Sequence, residues 1–408
     1  MDTVEVKDMS ECPSGDNLCV VRAFESEIII VPVLLIAASC IVGGCILWMT
    51  CRQKKGTRPP DFTETGRQIL ELRPSNAASC GQAPSDPELR PWQIPADRLV
   101  GGLRWIARGR YGDIFLCRLA PEGPGKEKAV VVKELQESAS PGLAELFLSR
   151  IRFQAALGHH PHLVRMEGCW TQQGTARLVM EALEPGNLLH FLWQCRKDMV
   201  TMEATPYDLT EKQVYSIAEQ VASALEFLHA NGLIHGNVGA RNILLGENLT
   251  AKLCGLHVPF KIQTTGTPPA DRGAPQKWQS PESLMKQTLT GKTDVWSFGI
   301  LLFEMITLGA PPYGDLPPSS VLPFLQRGRR ISQPATCRSS LYRLMRQCWD
   351  WRPGLRPSLP ELRRRLQANG RAADDRLVLR VPHRIQPEAY ALVAGMQAPA
   401  WGQDYTVF

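Results

Sequence analysis

The sequence predicts an α+β domain with a strand-rich first part and a helix-rich second part, preceded by one membrane-spanning helix. Alternating apolar residues at 114–117 and 129–132 predict strands, whereas helical spacing of apolar residues predicts helices at 143–148 and 214–228. Strands followed by helices are typical of an α+β domain with two lobes. The uncharged run 28–49 has about the length, ~20 residues, that a helix needs to cross a bilayer.

The charges on either side of the uncharged run predict its orientation. Acidic residues dominate 1–27, and basic residues cluster within 52–58. Because positive charge stays on the cytoplasmic side, we expect a single-pass membrane protein with residues 1–27 outside and the remainder in the cytoplasm. A cleaved signal peptide is the alternative, but the short basic segment and brief apolar core that it needs are not found here. The spacing of Ser39 and Gly43 would let two such helices approach and self-associate in the bilayer.

Composition limits the remaining functions. The chain has 408 residues and a hydrophobic content of 44%, which is ordinary for a globular protein with one large domain. The net charge of +6 is too small to indicate nucleic acid as a partner. Most of the 12 cysteines follow the uncharged run without a metal-ligand spacing, so we interpret them as reduced thiols of a cytosolic domain.

Shifts in composition divide the chain after the uncharged run. Residues 50–97 are polar and interrupted by prolines, which predicts a flexible linker. We expect the globular domain at 98–368, with its small lobe at 98–183 and its large lobe at 184–368. Residues 369–408 lack periodicity and are expected to form a mobile tail.

The first motif of the domain is I-A-R-G-R-Y-G-D-I at 106–114, followed by Lys133 at the end of an apolar strand. Alone, the first segment would be a strand turn and the lysine an edge charge. Together they resemble the glycine-rich loop and the phosphate-binding lysine of protein kinases, whose glycines let backbone N–H groups approach phosphates. The resemblance implies an ATP site whose residues in this part of the chain are Ile106, Ala107 (in place of the first glycine), Gly109, Gly112, Ile114 and Lys133.

A kinase lysine normally pairs with a glutamate from the next helix. Counting back without gaps from 163–168, which resembles the strand after that helix, places Arg150 at the glutamate position. Glu145 is the nearest acidic residue, but it lies about 140° around the helix from Arg150. Either the lysine–carboxylate pair is broken, or the register shifts.

Residues 177–188 resemble the last small-lobe strand and the hinge of tyrosine kinases. The resemblance implies that Met180 lies at the back of the nucleotide pocket and that the backbones of Glu181 and Leu183 meet the adenine edge. The plain alternative is a strand that ends in a Pro-Gly turn, and the two interpretations are compatible.

The run 235–242, H-G-N-V-G-A-R-N, resembles the tyrosine-kinase catalytic loop H-R-D-L-A-A-R-N. In that loop the Asp accepts the proton of the substrate hydroxyl. Here Asn237 takes its place, and its amide has no basicity near neutral pH. Arg241 and Asn242 are retained, and Asn242 could hold a metal weakly through its amide oxygen. The run is more similar to the pseudokinase domains of the Janus kinases than to an active enzyme.

The segment 251–257, A-K-L-C-G-L-H, lies where such a kinase carries its magnesium-binding D-F-G motif. Gly255 replaces the metal-binding Asp, and His257 replaces the small glycine. Loss of a general base costs about 10²–10⁴ in rate, and loss of a metal clamp removes several kcal/mol more. We therefore expect the rate of phosphate transfer to be lowered by at least ~10⁴. ATP binding is possible, but the segment lacks the carboxylate that would bind magnesium.

The second half of the domain keeps the family motifs. K-W-Q-S-P-E at 277–282, D-V-W-S-F-G at 294–299 and the C-W…R-P signature at 348–357 resemble their tyrosine-kinase counterparts. The resemblance implies a buried ion pair between Glu282 and Arg356. Together the motifs imply a bilobal protein-kinase fold over about 98–368.

Three functions remain open from the sequence. The leading interpretation is a membrane-anchored, tyrosine-kinase-like signalling protein that has lost catalysis and acts as a scaffold for other signalling proteins. The second is a weak or unconventional tyrosine kinase that transfers the γ-phosphate of ATP to protein tyrosine. The third is a receptor with its own ligand, although 1–27 is too short to form a core.

Overall fold

The computed structural model describes residues 86–171, 175–196, 207–256, 260–261, 274–381 and 384–396. Its small lobe is an antiparallel sheet of five strands in the order β1-β2-β3-β5-β4, with one helix inserted between β3 and β4. The elements are β1 (Leu99–Arg108), β2 (Asp113–Leu119), β3 (Lys128–Glu134), α1 (Pro141–Ala156), β4 (Met166–Trp170) and β5 (Arg177–Glu181).

The predicted strands and helix of the small lobe are confirmed, and their sequences explain them. The central strand β3 carries three consecutive β-branched valines, all of them buried between its neighbours β2 and β5. Helix α1 begins after Ser140, whose Oγ accepts a hydrogen bond from the Leu143 N–H, and Pro141 fits the first helical position because its missing N–H has no partner there.

The large lobe is helical, with two small sheets at its upper edge. One sheet has the order β6-β8-β9, and β10 pairs with β7. The strands are β6 (Gly186–Asn187), β7 (Leu233–Ile234), β8 (Ile243–Leu245), β9 (Ala251–Leu253) and β10 (Phe260–Lys261). The helices are α2 (Leu188–Gln194), α3 (Glu211–Ala230), α4 (Pro281–Leu284), α5 (Gly291–Ile306), α6 (Val321–Gln326), α7 (Ser339–Cys348), α8 (Leu359–Ala372) and α9 (Pro387–Ala394).

Helix α5 forms the centre of the large lobe. Every residue from 293 to 306 is buried, so this helix is enclosed on all sides rather than along one stripe. Helix α3, in contrast, is amphipathic and begins with a capping box between Thr210 and Gln213. Its buried face completes the core around α5, as its apolar periodicity predicts.

The expected ion pair between Glu282 and Arg356 is present and buried in the large lobe. Two parallel hydrogen bonds join the guanidinium to the carboxylate, at 2.6 and 2.8 Å. Burial raises the pKa of the Glu282 carboxyl, but the hydrogen bond and the charge of Arg356 outweigh burial and hold that pKa below its ordinary value. The carboxylate is therefore charged and paired at neutral pH.

The predicted membrane-spanning helix, and with it the predicted single-pass localisation, is not supported by the part of the chain that the structure describes. In the part of the chain that it describes, no helix is both long enough and apolar enough to cross a membrane. Helix α3 carries charged residues on its exposed face, and α5 has only 16 residues and buries Asp294 and Glu304 inside the protein. The fold class is corrected to the bilobal α+β fold. The run 28–49 lies outside the described residues.

Two segments expected to be flexible are packed against the domain. At the end of the predicted linker, Leu89 and Ile94 are buried, and the Ile94 N–H donates to the Cys169 carbonyl on β4. Beyond α8, the expected mobile tail contains α9, and Leu379 and Tyr390 are buried against the large lobe. In both segments isolated apolar residues make the contacts, and isolated residues produce no periodic signal in the sequence.

Candidate functional site

The backbone at the start of the run 235–242 is held by hydrogen bonds to Asp294, which is fully buried on α5. Its carboxylate accepts hydrogen bonds from the N–H groups of His235 and Gly236, at 2.9 and 2.7 Å, and lies 2.8 Å from the His229 ring. Burial raises the pKa of Asp294, but the hydrogen bond and charge of His229 lead the effects that outweigh burial and keep that pKa below its ordinary value. The backbone that positions the catalytic group of a kinase is therefore intact.

Asn237 lies at the position predicted for the proton acceptor. Its side-chain oxygen accepts a hydrogen bond from the Arg241 guanidinium, and its backbone carbonyl accepts one from the Asn242 amide at 2.7 Å. All three side chains are buried, so the structure brings these predicted residues together. An amide oxygen can accept a hydrogen bond, but it cannot take a proton near neutral pH.

Gly255 lies directly against Asn242. Its φ of +80° is in the left-handed region, and a Cβ atom built on it would lie 2.6 Å from the Asn242 Oδ1 atom. No side chain, and so no carboxylate, fits at this position unless the backbone or Asn242 moves. His257, the other substitution expected to matter here, lies outside the described residues.

The donor set at this position does not fit magnesium. Mg²⁺ in phosphate-transfer sites is usually held by one or two carboxylates together with the phosphates. Asn237 and Asn242 offer amide oxygens only, and within the described ranges no group of three or more His, Cys, Asp or Glu residues could hold a metal ion. This position therefore offers magnesium no carboxylate ligand among the described residues.

In the small lobe, the structure decides between Arg150 and Glu145. Arg150 is buried on the inner face of α1, whereas Glu145 is exposed and forms an ion pair with Arg152 at 2.9 Å. Lys133 is also buried, at the end of β3. Burial raises the pKa of the Cys254 thiol to about 12, and the positive charges of Lys133 and Arg150 oppose this rise. Both cations therefore lie within electrostatic reach of Cys254, and Arg150, not Glu145, is the buried one of the two candidate residues on α1.

The glycine-rich loop lies folded onto the end of β3. The Gly109 N–H donates to the Gly112 carbonyl, and the Gln136 N–H donates to the Tyr111 carbonyl, both at 2.8 Å. Gly112 has a φ of +153°, and a Cβ atom built there would lie 2.3 Å from the Glu134 carbonyl oxygen. Only glycine permits this approach of the loop to β3.

Folding of the loop carries Tyr111 into the core of the small lobe. The Tyr111 ring packs against Phe147 with 5.1 Å between ring centroids, and the Arg150 guanidinium lies 5.7 Å from the centroid of the Tyr111 ring. Tyr111 joins the apolar cluster that contains Met180 and Leu244. It is 6% exposed, so the loop tip is part of the core rather than a cover above an open cleft.

Other residues predicted to contact the nucleotide pack against one another or against the core of the small lobe. Ala107 and Ile114 are buried in one small cluster with Val131 of β3, and Ile106 packs against the same cluster. Leu183 packs against the Tyr111 cluster and would lie 3.1 Å from a Cβ atom at Gly246. The residue types that would bind ATP are present, and their side chains belong to the apolar clusters of the small lobe.

The carboxylate of Glu181 connects the two lobes. It accepts hydrogen bonds from the Lys252 ammonium on β9, at 2.7 and 2.8 Å, and from the Arg165 N–H at 2.7 Å. The Glu181 N–H donates to the Arg165 carbonyl at 3.0 Å. From the sequence, only the backbone of Glu181 was assigned a role. Lys252 was missed, because an isolated lysine gives no signal in the sequence.

Two further residues of the site were missed. The Arg241 guanidinium lies 4.8 Å from the centroid of the Trp278 ring. Glu304 is fully buried on α5, and its carboxylate accepts a hydrogen bond from the Ala240 N–H at 2.9 Å. Burial raises the pKa of Glu304, although the charge of Arg241 opposes the rise. A single carboxylate inside the apolar run 295–306 is the signal that could have identified it.

Comparison with known proteins supports the kinase fold described above. The family described as protein tyrosine and serine/threonine kinase matches residues 102–366, which is more than half of the chain. The chain belongs to this kinase family. The match covers both lobes of the kinase domain, from β1 to α8, and the family uses ATP and metal ions in general.

Two curated relatives of this kinase-family chain match it over nearly its whole length. The tyrosine-protein kinase STYK1 of Homo sapiens is 42% identical over 414 residues, 97% of this chain and 98% of the relative. Its counterpart in Mus musculus is 39% identical over 417 residues, 97% of both proteins. A fibroblast growth factor receptor of Strongylocentrotus purpuratus is 33% identical over 68% of this chain, but this region is 29% of the receptor.

These matches confirm the predicted kinase resemblance, which also extended to the protein called novel oncogene with kinase domain, another name for STYK1. They also establish this kinase-family chain as a tyrosine-kinase-like signalling protein.

Proposed function

We propose that this chain is a pseudokinase, which transfers phosphate far more slowly than an active kinase and signals through contacts with other signalling proteins. The observation that carries the proposal is the pair of positions Asn237 and Gly255. Neither supplies a carboxylate, and a Cβ atom at Gly255 would lie 2.6 Å from the Asn242 Oδ1 atom, so a side chain there requires Asn242 or the backbone to move.

The residues that remain can bind and orient but cannot move a proton. Asn237 can accept a hydrogen bond from a substrate hydroxyl, yet that hydroxyl has no base to receive its proton. Arg241 is held by Asn237 and by the face of Trp278, so its charge is fixed next to the empty base position. With no base at 237, we expect a rate lowered by about 10²–10⁴ before any loss from the metal position.

ATP would meet a site whose components are present but closed. When bound, ATP would supply the phosphoryl group, and Lys133 would supply positive charge to its phosphates. The glycine-rich loop must first lift from the end of β3 and withdraw Tyr111 from the core. Arg150 adds a second positive charge to the same region, where an active kinase has a carboxylate.

Retention of the frame supports a role that depends on shape. The ion pair between Glu282 and Arg356 and the hydrogen bonds of Asp294 preserve the surface of the large lobe. A protein that acts by contact needs this surface, but it needs neither the base nor the metal ligand.

The experiment is phosphate transfer by the full chain to tyrosine peptides, measured with enzyme in excess of peptide. We expect a rate at least ~10⁴ below the ~1–100 s⁻¹ of ordinary kinases. A Lys133→Met variant prepared in parallel measures contaminating kinase, because contaminant activity does not change with Lys133. Turnover in the ordinary range that disappears in Lys133→Met would refute the proposal.

A second candidate, a weak tyrosine kinase, is favoured by the retention of Lys133, Arg241 and Asn242. It predicts a slow rate in the wild type that Lys133→Met lowers further and that saturates with ATP. The pseudokinase proposal predicts equal rates for the wild type and the variant.

A further inference from the structure

The segment after α8 is bound along the large lobe, and we call residues 374–381 and 384–396 the strap. Its first part is held by backbone and charge. The Leu379 N–H donates to the Leu209 carbonyl at 2.8 Å, and Val378 forms a β-bridge with Thr210. The Asp375 carboxylate accepts hydrogen bonds from Thr210 at 3.3 Å and from Lys212 at 3.4 Å.

The second part of the strap is the helix α9, and its docking depends on one large side chain. Its buried residues are Tyr390, Ala391 and Ala394, so Tyr390 supplies most of the buried side-chain surface. The Tyr390 ring is 2% exposed and meets the Trp193 ring edge-on, with 5.0 Å between centroids. On the opposite face of the same helix, Leu392 is 81% exposed.

The Tyr390 hydroxyl points at Glu304. It donates to the Glu304 Oε1 atom at 3.5 Å, while the Oε2 atom of the same carboxylate accepts from the Ala240 N–H at 2.9 Å. One buried carboxylate therefore contacts both the strap and the run 235–242. The strap ends close to Pro318, which would lie 2.3 Å from a Cβ atom at Gly395.

We infer that Tyr390 is a site of tyrosine phosphorylation and that its modification releases α9 from the large lobe. In this step the Tyr390 oxygen attacks the γ-phosphorus of ATP held by another, active tyrosine kinase. The new bond joins oxygen to phosphorus, the bond from the γ-phosphorus to the bridging oxygen breaks, ADP leaves, and the hydroxyl proton passes to the base of that kinase.

Charge and burial explain the release. A phosphorylated tyrosine carries about −1.5 to −2 charges at neutral pH. If α9 stayed docked, this charge would be buried beside the Glu304 carboxyl group. Burial already raises the pKa of that carboxyl, so the site disfavours negative charge. Repulsion and loss of hydration both disfavour the docked state.

Access to Tyr390 requires the docked helix to open first. Helix α9 has eight residues, and two of its three buried residues are alanines, so few apolar contacts oppose local opening. The open state presents Tyr390 in the sequence E-A-Y-A-L-V, and phosphorylation prevents it from closing. Neither step depends on whether this chain itself transfers phosphate.

The test measures amide hydrogen exchange of the full chain, because a docked helix protects its amides. We expect Tyr390→Glu to lower protection across 387–396 by at least about tenfold. Leu392→Glu is the matched control, since it adds the same charge to the exposed face of the same helix. Tyr390→Phe keeps the ring and should remain docked.

A double variant separates charge repulsion from lost packing. Glu304→Gln removes the facing charge but keeps a hydrogen-bond acceptor for Ala240. We expect Tyr390→Glu with Glu304→Gln to regain protection relative to Tyr390→Glu alone. If the double variant exchanges as fast as Tyr390→Glu, or if Tyr390→Glu is as protected as Leu392→Glu, the inference is overturned.

Phosphorylation itself is tested with a purified active tyrosine kinase, ATP and the full chain. Peptide mass spectrometry should find phosphate on Tyr390, and the modified chains should lose protection across 387–396. A chain in which other tyrosines are fully modified while Tyr390 stays unmodified would contradict the inference.

Discussion

The large-lobe core of this chain and its two segments 235–242 and 251–257 differ in which carboxylates they contain. In the core, Glu282 and Asp294 are buried, charged and fully engaged by Arg356, His229 and backbone N–H groups. In the catalytic run and the segment after it, the positions at which a kinase has its base and its metal ligand are Asn237 and Gly255. The carboxylates that hold the fold are kept, and those that perform the reaction are absent.

In this contrast the hydrogen bonds that hold the kinase frame do not involve the side chain at position 237. The Asp294 hydrogen bonds fix the backbone of His235 and Gly236 whether or not residue 237 can accept a proton. At Gly255 the change extends to the backbone itself, because its left-handed φ places the would-be Cβ atom against Asn242.

The largest expected effect comes from breaking the retained region. Glu282→Gln leaves the buried Arg356 guanidinium without its charged partner, so we expect a loss of about 3–5 kcal/mol in the free energy of unfolding. Urea denaturation of the full chain measures this loss. The control is Glu122→Gln, which breaks the exposed ion pair with Arg98 and should leave the denaturation midpoint unchanged. Equal stability of Glu282→Gln and wild type would mean that this carboxylate does not hold the fold, and the difference between the two regions would disappear.

The next largest effect is expected when a carboxylate is introduced at position 255. Gly255→Asp should not act as a simple repair, because the residue needs a positive φ and the space is filled by Asn242. We expect it to lower stability by about 1–3 kcal/mol, and Gly255→Ala to cost most of the same amount since the clash begins at Cβ. Denaturation midpoints of the two variants decide this. A Gly255→Asp protein as stable as wild type would show that the backbone adapts easily.

A smaller effect is expected at the folded glycine-rich loop. Removing the ring in Tyr111→Ala should favour the lifted loop and raise ATP affinity by about tenfold. Tyr111→Phe keeps the ring in the core and should bind ATP as weakly as wild type. Calorimetric titration of the three proteins, with thermal unfolding to confirm folding, provides the measurement. Unchanged affinity in Tyr111→Ala would mean that the buried ring does not limit binding.

The sequence predicted the frame well and the site in part, for physical reasons that particular residues show. Glu282 and Arg356 occur in motifs that resemble those of the family, so their ion pair was predicted. The contacts of Asp294 with His229, His235 and Gly236 were not predicted. The choice between Arg150 and Glu145 required the rotation of α1, which composition cannot supply. Glu304 was missed because its partners, Ala240 and Tyr390, are far from it in sequence and meet only in the tertiary structure.

The docking of α9 and the closure of the loop were unpredictable for a related reason. Both depend on one aromatic ring finding a preformed apolar site, Tyr390 beside Trp193 and Tyr111 beside Phe147. A single ring within a polar or glycine-rich segment has no periodicity. Its contact partners are set by the rest of the fold.

We propose that this chain keeps the kinase frame but lacks the carboxylate through which a kinase binds magnesium. The most direct test is the affinity of the full chain for ATP with and without magnesium, measured by calorimetry. A kinase of the same family with its metal-binding Asp present serves as the positive control. We expect the affinity of this chain to change by less than about threefold, since each tenfold change would require ~1.4 kcal/mol of metal-dependent binding energy. A rise of tenfold or more on adding magnesium would contradict the account, because some residue would then be supplying the missing ligand.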